Sequence, residues 1–318
     1  MANTITSFFQ TVVSATGEAT RLLAPTWAAH DAIFWDFKPD QTGILGQTIN
    51  AAIPVDPTNS VTDIGSGDAI LSDIAFTTTP IVYNKHPQFG YVVRDYEQFN
   101  SPTDIRRVFL DAAIKGIKNN INAQVTALFN TTNFTTNTAV SATGGVVTVP
   151  QFLGAMAVLA DQRVPVQTDP QNMSVLLPSV PYTKMMDGTT GGSGAAWNQA
   201  FIVGQPTAQA IHENAKIPMA FGASFYLDQQ MPTSGSVGSR TFTGMYMHRY
   251  AVAGVSRALP KPDEKVVDYT YVDFGNLSLR ITLGYNQWPK QGYVVTIDCG
   301  YGLKVVRENM GVLLSIAE

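Results

Sequence analysis

A long extended stretch feeding a long capped helix constrains this chain more than any other feature. Residues 41–99 read as loop and strand, punctuated by Pro54, Pro57 and Pro80 and by Gly43, Gly46, Gly65 and Gly67. Short alternating runs such as TINAAIPV lie between them. They predict a two-stranded excursion with a polar tip near DPTNSVTDIGSGD, and residues 81–96 return as strand. A segment of this length cannot bury itself. Structureless loops beyond about 12–15 residues are uncommon in compact domains, and an isolated hairpin is marginal in water. It becomes stable when laid across a partner, and the expected partner is another copy of the same chain.

The helix that follows announces its start. Ser101 is a good N-cap, Pro102 sits at N1 and Asp104 at N3, where it answers the cap and the helix dipole. The spacing predicts one helix over 102–130, roughly 40 Å long at ~1.5 Å per residue. Ile105, Phe109 and Ala112 form one apolar row. Leu110, Ile114, Ile117, Ile121, Val125 and Leu128 form a second at spacings of three and four. The polar Thr/Asn stretch from Asn130 to Asn137 ends it.

Elsewhere the elements are shorter. Residues 4–23 carry a weak helical period ended by Ala24-Pro25, and the aromatics Trp27, Phe34, Trp35 and Phe37 follow. Residues 1–40 therefore read as an arm docked on its own body or on a neighbour. Thr148, Pro150 and Gln151 open a helix that Val164-Pro165 stops. SVLLP at 174–178 is a buried strand by its continuous apolar run, and 181–186 is a short helix. GTTGGSGA at 188–195 is flexible by composition, and AAWNQAFIV after it is helical. From 217 onward the chain is mostly strand. The fold class is α+β with antiparallel strands dominant, and no internal repeat is visible.

Composition narrows the function. Of 318 residues 45% are hydrophobic, enough for a sizeable core, while only 14% are charged, well under the roughly 25% of ordinary domains. A polar but weakly charged surface suits a subunit covered on several sides by neighbours. Net charge is −4 with no Lys/Arg run, which argues against tight nucleic-acid binding by charge. The opening MANTITSFFQTVV has no basic n-region, and the most apolar run, FLGAMAVLA, is too short to span a bilayer. A soluble protein made in a cytoplasm is expected, with no membrane partner.

Chemistry is sparse. Cys299 is the one cysteine, read as a buried structural thiol. His30, His86, His212 and His248 lack metal-ligand spacing, so neither a metal nor another cofactor is expected. The nearest nucleophile elbow, Gly191-Gly192-Ser193-Gly194, lies in a low-complexity loop rather than between strand and helix. GTTGGSGA is not a phosphate loop. Asp95 and Glu97 share a strand face and read as solvated. No catalytic residue is assigned.

The order of parts resembles the major capsid (coat) proteins of tailed bacteriophages, with their Hong Kong 97-like (Johnson) fold. The most specific run is FLGAMAVLADQRVPVQTDPQNMSVLLPSVPYTKMMDG, similar to the family's helix, Val-Pro turn, apolar strand ending in Pro, and short helix. YMHRYAVAGVSRALPKP and DCGYGLKVVRENMGVLLSIA look like the late strands. The resemblance implies an N-terminal arm (1–40), an extended E-loop with its return strand (41–96), a P domain (97–147) with a spine helix (102–130), an A domain (148–245), and strands completing both domains (246–318). It implies hexamers and pentamers of this chain tiling an icosahedral head around double-stranded DNA. That head is a virion capsid assembled in the host bacterial cytoplasm.

The assembly residues it implies are Asp56, Asn59, Asp63 and Asp68 at the E-loop tip and Gly191, Gly192 and Ser193 in the A-domain central loop. Ser101, Ile117 and Ile121 mark the spine helix. Implied partners are other copies and a portal, with either a separate scaffolding or decoration protein or none, and with DNA enclosed but not read. No fused scaffold segment or inserted domain is visible, and no Lys–Asn cross-link is predicted. Two alternatives stay open: an encapsulin-type bacterial container, and a monomeric hydrolase or carbohydrate-binding module with Trp197 and Trp288 as stacking residues.

Overall fold

Period-two patterning resolves into two six-stranded sheets and a two-stranded ribbon in the computed structural model. The structure describes residues 28–54, 76–95, 105–186, 217, 219, 221–262, 268–274, 276–286 and 291–318. In chain order, helix α1 (Ala29–Ala32) leads into β1 (Phe34–Thr42), the ribbon strands β2 (Thr48–Pro54) and β3 (Phe76–Val82), and β4 (Gln88–Arg94). Helix α2 (Ile105–Thr126), β5 (Val140–Ala142), helix α3 (Val149–Asp161), β6 (Met173–Leu177) and helix α4 (Ser179–Met186) follow. The last third is β7 (Ser224–Leu227), β8 (Thr233–Ser234), β9 (Thr241–His248), β10 (Val252–Ala258), β11 (Asp268–Phe274), β12 (Leu277–Asn286), β13 (Gly292–Val305) and β14 (Gly311–Ala317).

The first sheet runs β1-β10-β13-β12-β11, with β4 beside the first half of β13. The second runs β5-β14-β9-β6-β7, with β8 beside β9. Parallel pairs are β1 with β10, β5 with β14 and β6 with β7. The other described pairs are antiparallel, as the sequence implied. Of the segment 1–40, residues 28–40 lie on the body: β1 forms the edge of the first sheet.

All of β6 is buried because both faces of the second sheet are covered. Leu176, with Met245 and Leu313, faces a core shared with α2 and the first sheet. Val175 and Leu177, with Tyr246 and Leu314, face a second core closed by Phe152, Ala155 and Leu159 of α3. A 3-10 turn at Arg249–Ala251 carries the chain from β9 to β10, and so from one sheet to the other. Trp35 lies flat against Gly254 on the neighbouring strand, where a Cβ would overlap its ring.

The long helix is real but shorter than 102–130. It ends at Thr126, and its described part is 22 residues, about 33 Å. Two tightened bonds, Leu128 N–H to Val125 O and Phe129 N–H to Thr126 O, close its last turn. Asn130 then competes for the backbone. Its Oδ1 accepts from the amides of Thr132 and Asn133, and its Nδ2 donates to Ala127 O at 2.9 Å. The buried stripe is Ala113, Ile117, Ile121, Val125, continued by Phe129, a plain i+4 row. Ile114 is half-buried at its border, and Ala112, expected in an apolar row, is exposed.

Helix α3 starts as its sequence predicts. Thr148 Oγ1 accepts the Gln151 amide while Gln151 Oε1 accepts the Thr148 amide at 2.9 Å, a reciprocal capping box. The single return strand expected over 81–96 is two strands. β3 stops at Val82 and β4 starts at Gln88, because Tyr83 to Pro87 turn across the first sheet.

Candidate assembly surface

The ribbon β2–β3 shares no hydrogen-bonded ladder with either sheet. Its register pairs Thr48 with Val82, Asn50 with Pro80 and Ala52 with Thr78 on one face, and every one of these is exposed. The other face, Ile49 with Ile81 and Ala51 with Thr79, turns toward the body; Ile81 is buried against Ala253 and Val255. Neither strand contains a charged residue. Phe76, at the far end, is 61% exposed. Soluble proteins protect free edges with charge, proline, bulges or cover; this ribbon carries Pro54 and Pro80 but no charge, and its outer face is uncovered among the described residues.

The ribbon's root is fixed firmly. Gly43 N–H donates to Ala258 O, Gly46 N–H to Tyr83 O and Tyr83 N–H to Gln47 O, all at 2.8–2.9 Å. Gly46 has φ +88°, which a side chain would disfavour. Lys85 and Tyr301 exchange both backbone bonds. Tyr83 is fully buried, its hydroxyl donating to Arg257 O at 3.1 Å, and its ring lies over Gly300 of β13. Two ion-pair clusters flank it. Arg257 binds Asp36 at 2.6 Å, and Asp298 accepts from Arg280 Nε at 3.0 Å and meets His86 Nε2 at 3.0 Å. A Cβ at Gly302 would overlap the Val82 carbonyl. Gly302→Ala is expected to cost about 1–3 kcal/mol through overpacking and to displace the ribbon. Chemical denaturation checks the first part, and a stability within about 0.5 kcal/mol of wild type would contradict it.

A second junction holds the start of the described chain. Asp228 is fully buried and accepts from the amides of Ala28 (3.0 Å), Ala29 (2.8 Å) and Gln230 (2.8 Å) and from Asn122 Nδ2 (2.9 Å). Asn122 also accepts the His30 amide at 2.9 Å. One carboxyl thus ties α1, α2 and the loop after β7 together. The sequence offered no pattern for it, because its partners other than Gln230 are 106 to 200 residues away; a polar Asn beside the apolar stripe of α2 was the one available sign.

Of the residues singled out in the sequence, Ile117 and Ile121 are buried in the core beside α2. They hold the subunit together and are not on its surface. Asp56, Asn59, Asp63, Asp68, Ser101, Gly191, Gly192 and Ser193 lie outside the described residues, as do Trp197, Trp288, Glu97 and His212. The two-stranded excursion expected from the sequence is present as β2 and β3, and what the sequence reading missed was that neither strand carries a charge. That absence is legible in TINAAIP and FTTTPIV.

No group of three or more His, Cys, Asp or Glu that could hold a metal occurs among the described residues. No described helix is long and apolar enough to cross a membrane. His248 meets Asp169 at 3.2 Å and accepts the Tyr250 amide, bracing the turn between the sheets. Burial pushes the Cys299 thiol up from an ordinary 9.0 to about 12. Burial likewise raises Tyr83, Tyr246 and Tyr301. The native state keeps protons there that the unfolded chain releases, so stability is full below pH ~9 and falls as pH rises toward ~12. A thiol reagent at about pH 8, below the raised value, is expected to leave Cys299 unmodified until the protein unfolds. Rapid native labelling would contradict this.

Clefts open on the described surface. One of about 520 Å³ lies beneath the ribbon root, between Ile49–Ala52 and Phe34, Ala253 and Val255. Another of about 590 Å³ flanks the end of α2 near Phe129, Asn130 and Gln230. A third of about 450 Å³ separates the 84–89 strap from Gly116 and Asn120 of α2. None gathers a nucleophile with a base.

In sequence, no family model and no curated protein matches the chain. Solved structures do match its fold. A chain of Mycobacterium phage Che8 aligns at TM-score 0.56 and 13% identity, covering 91% of each chain. The capsid of Cyanophage P-SCSP1u aligns at TM-score 0.55 and 10% identity, covering 93% of this chain and 90% of that one. The capsid of Ralstonia phage GP4 aligns at 0.54 and 11%, covering 92% and 88%. With about nine-tenths of both chains aligned and a mixed α+β make-up, this chain has the Hong Kong 97-like fold of phage capsid proteins.

Proposed function

We propose that this chain is a structural shell subunit, the major capsid protein of a tailed phage. Copies form hexamers and pentamers that tile an icosahedral head around double-stranded DNA. The observation that carries this reading is the ribbon β2–β3. It is uncharged, hydrogen-bonded to neither sheet, exposed on its outer face at Thr48, Asn50, Ala52, Thr78, Pro80 and Val82, and anchored at its root. Such a ribbon is marginal alone and gains most when a neighbour covers it. The phage-capsid fold supplies the kind of neighbour, another copy of the chain. Many modest contacts then add in one closed particle.

In this reading 41–96 is the E-loop reaching a neighbour through Asp56, Asn59, Asp63 and Asp68. Helix α2 is the strut, and Gly191, Gly192 and Ser193 face the capsomer centre. The parts 1–40, 97–147, 148–245 and 246–318 serve as arm, P domain, A domain and closing strands. The subunit works without catalysis or cofactor. It acts in the virion capsid after assembly in the host cytoplasm, meets a portal and a scaffolding or decoration protein, and encloses DNA without reading it.

Electron microscopy of the concentrated recombinant protein, alone and co-expressed with its neighbouring genes, tests the reading. Closed shells, tubes or capsomer rings are expected from the full chain. Deleting residues 50–70 is expected to leave a folded monomer. Normal shells from that deletion would contradict the role assigned to the ribbon.

A further inference from the structure

His248 sits where the chain leaves the second sheet for the first. It is the last residue of β9, its side chain is 3% exposed, and the turn Arg249–Ala251 carries the chain from it into β10. Both ring nitrogens are engaged. Nε2 meets Asp169 Oδ2 at 3.2 Å, and Nδ1 accepts the Tyr250 amide at 3.3 Å. A nitrogen that accepts from an N–H must carry a lone pair, so the ring is neutral in this arrangement, with its one proton on Nε2.

The two bonds reach toward different sheets. Asp169 lies on the turn that leads into β6, where Asn172 Nδ2 donates to it at 2.8 Å, so the Nε2 bond stays on the side of the second sheet. Tyr250 belongs to the side of the first. Its ring packs on Phe34 of β1 with centroids 5.2 Å apart, and the next residue, Ala251, accepts the amides of Val306 and Arg307 just past β13. The charged groups on the elements around the ring are Asp169 and Arg163 on the turn before β6, Arg249 on the turn after β9, and Arg307 and Glu308 after β13. Arg249 Nε donates to Ile33 O at 3.3 Å, and Glu308 accepts from Thr135 Oγ1 at 2.8 Å. Asp169 is the charge in hydrogen-bond contact with the ring. Its bonds from Asn172 and His248 hold its carboxyl below the usual carboxylate range, so it stays an anion in mild acid.

Adding a proton therefore treats the two bonds oppositely. The new N–H, at Nδ1, faces the Tyr250 N–H, and donor meets donor. At Nε2 the added charge strengthens the bond to the Asp169 carboxylate. We propose that His248 is an acid-operated release at the joint between the two sheets: neutral, it ties the turn to both sides, and protonated, it keeps Asp169 and lets go of Tyr250. Imidazoles change charge between about pH 5 and 8, which sets the window. Tyr250 also lines the cleft beneath the ribbon root, so the release frees one wall of that cleft. The proposal stands independently of the shell-subunit reading.

Hydrogen–deuterium exchange of the full chain at pH 8 and pH 5, corrected for the intrinsic pH dependence of exchange, reads the Tyr250 amide. Its protection is expected to fall at least ~5-fold in acid, the worth of one ordinary hydrogen bond, while that of β9 is unchanged. His248→Asn sets an amide oxygen near the Nδ1 position and does not titrate, so Tyr250 should be equally protected at both pH values. His248→Gln, whose amide reaches toward the Nε2 position instead, should leave Tyr250 unprotected at both. Equal wild-type protection at pH 5 and pH 8 would overturn the proposal, as would an ¹⁵N-histidine spectrum that puts the pH 8 proton of His248 on Nδ1. A fall of the same size in His248→Asn would trace the acid effect to another group and overturn it equally. Particle formation at pH 8 tests the shell reading separately.

Discussion

Asp228→Ala is expected to destabilise the subunit by at least about 3 kcal/mol. Its side chain is fully buried and accepts from three backbone amides and from Asn122 at 2.8–3.0 Å. Alanine removes every acceptor at once and leaves the Ala28 and Ala29 amides buried without partners, at roughly 1–3 kcal/mol each, while Asn122 keeps Gln230 Oε1. Water entering the space offsets part of that loss. Asp228→Asn separates shape from chemistry: it keeps the volume but sets an NH₂ against those N–H donors, so it is expected to fall between alanine and wild type. Equilibrium unfolding in urea reads both. A cost below about 1 kcal/mol for alanine, the size of a single ordinary hydrogen bond, would mean that this junction does not hold α1 to α2.

Ile117→Asp is expected to cost about 4 kcal/mol or more, a large part of the roughly 5–15 kcal/mol typical of folded domains. Ile117 is 4% exposed, within the core that joins α2 to both sheets. The change removes buried apolar surface and puts a charge where the nearby side chains are apolar. Ile117→Val, a simple shortening, should cost only about 0.5–1.5 kcal/mol. One residue away the sign reverses. Gly116 has open space around its missing Cβ, so Gly116→Ala should stabilise by about 0.5–1 kcal/mol through helix propensity. Circular dichroism with urea titration distinguishes the three. A folded Ile117→Asp subunit would place the buried face elsewhere.

Where local chemistry decides, the sequence was legible. Thr148 and Gln151 announced the capping box of α3, and SVLLP announced a strand covered on both faces. The alternating runs after 217 became β9 to β14. The end of α2 was misread because Asn130 was counted as a helix residue when its side chain captures the backbone of the following turn. The break between β3 and β4 was missed for a different reason. Tyr83 leaves the strand to lie over Gly300, far away in the chain, and no local pattern carries such a contact. Asp228 was hidden in the same way. On the surface, the ribbon's boundaries followed from its prolines and alternation, whereas its significance lay in charge that is absent and a face that nothing covers.

The most direct test of the central claim, that a second copy covers the ribbon, is hydrogen–deuterium exchange of residues 48–54 and 76–82 in the free subunit and in assembled particles. Amides on the outer edges of the two strands have no described partner in the subunit and should exchange fast there. In the particle they are expected to slow by at least ~10-fold as a neighbour covers them, while the Tyr83 and Lys85 amides at the root stay protected in both states. Equal, fast exchange of the ribbon in subunit and particle would mean that the shell holds together without it, and the claim that a neighbouring copy covers the ribbon would fail.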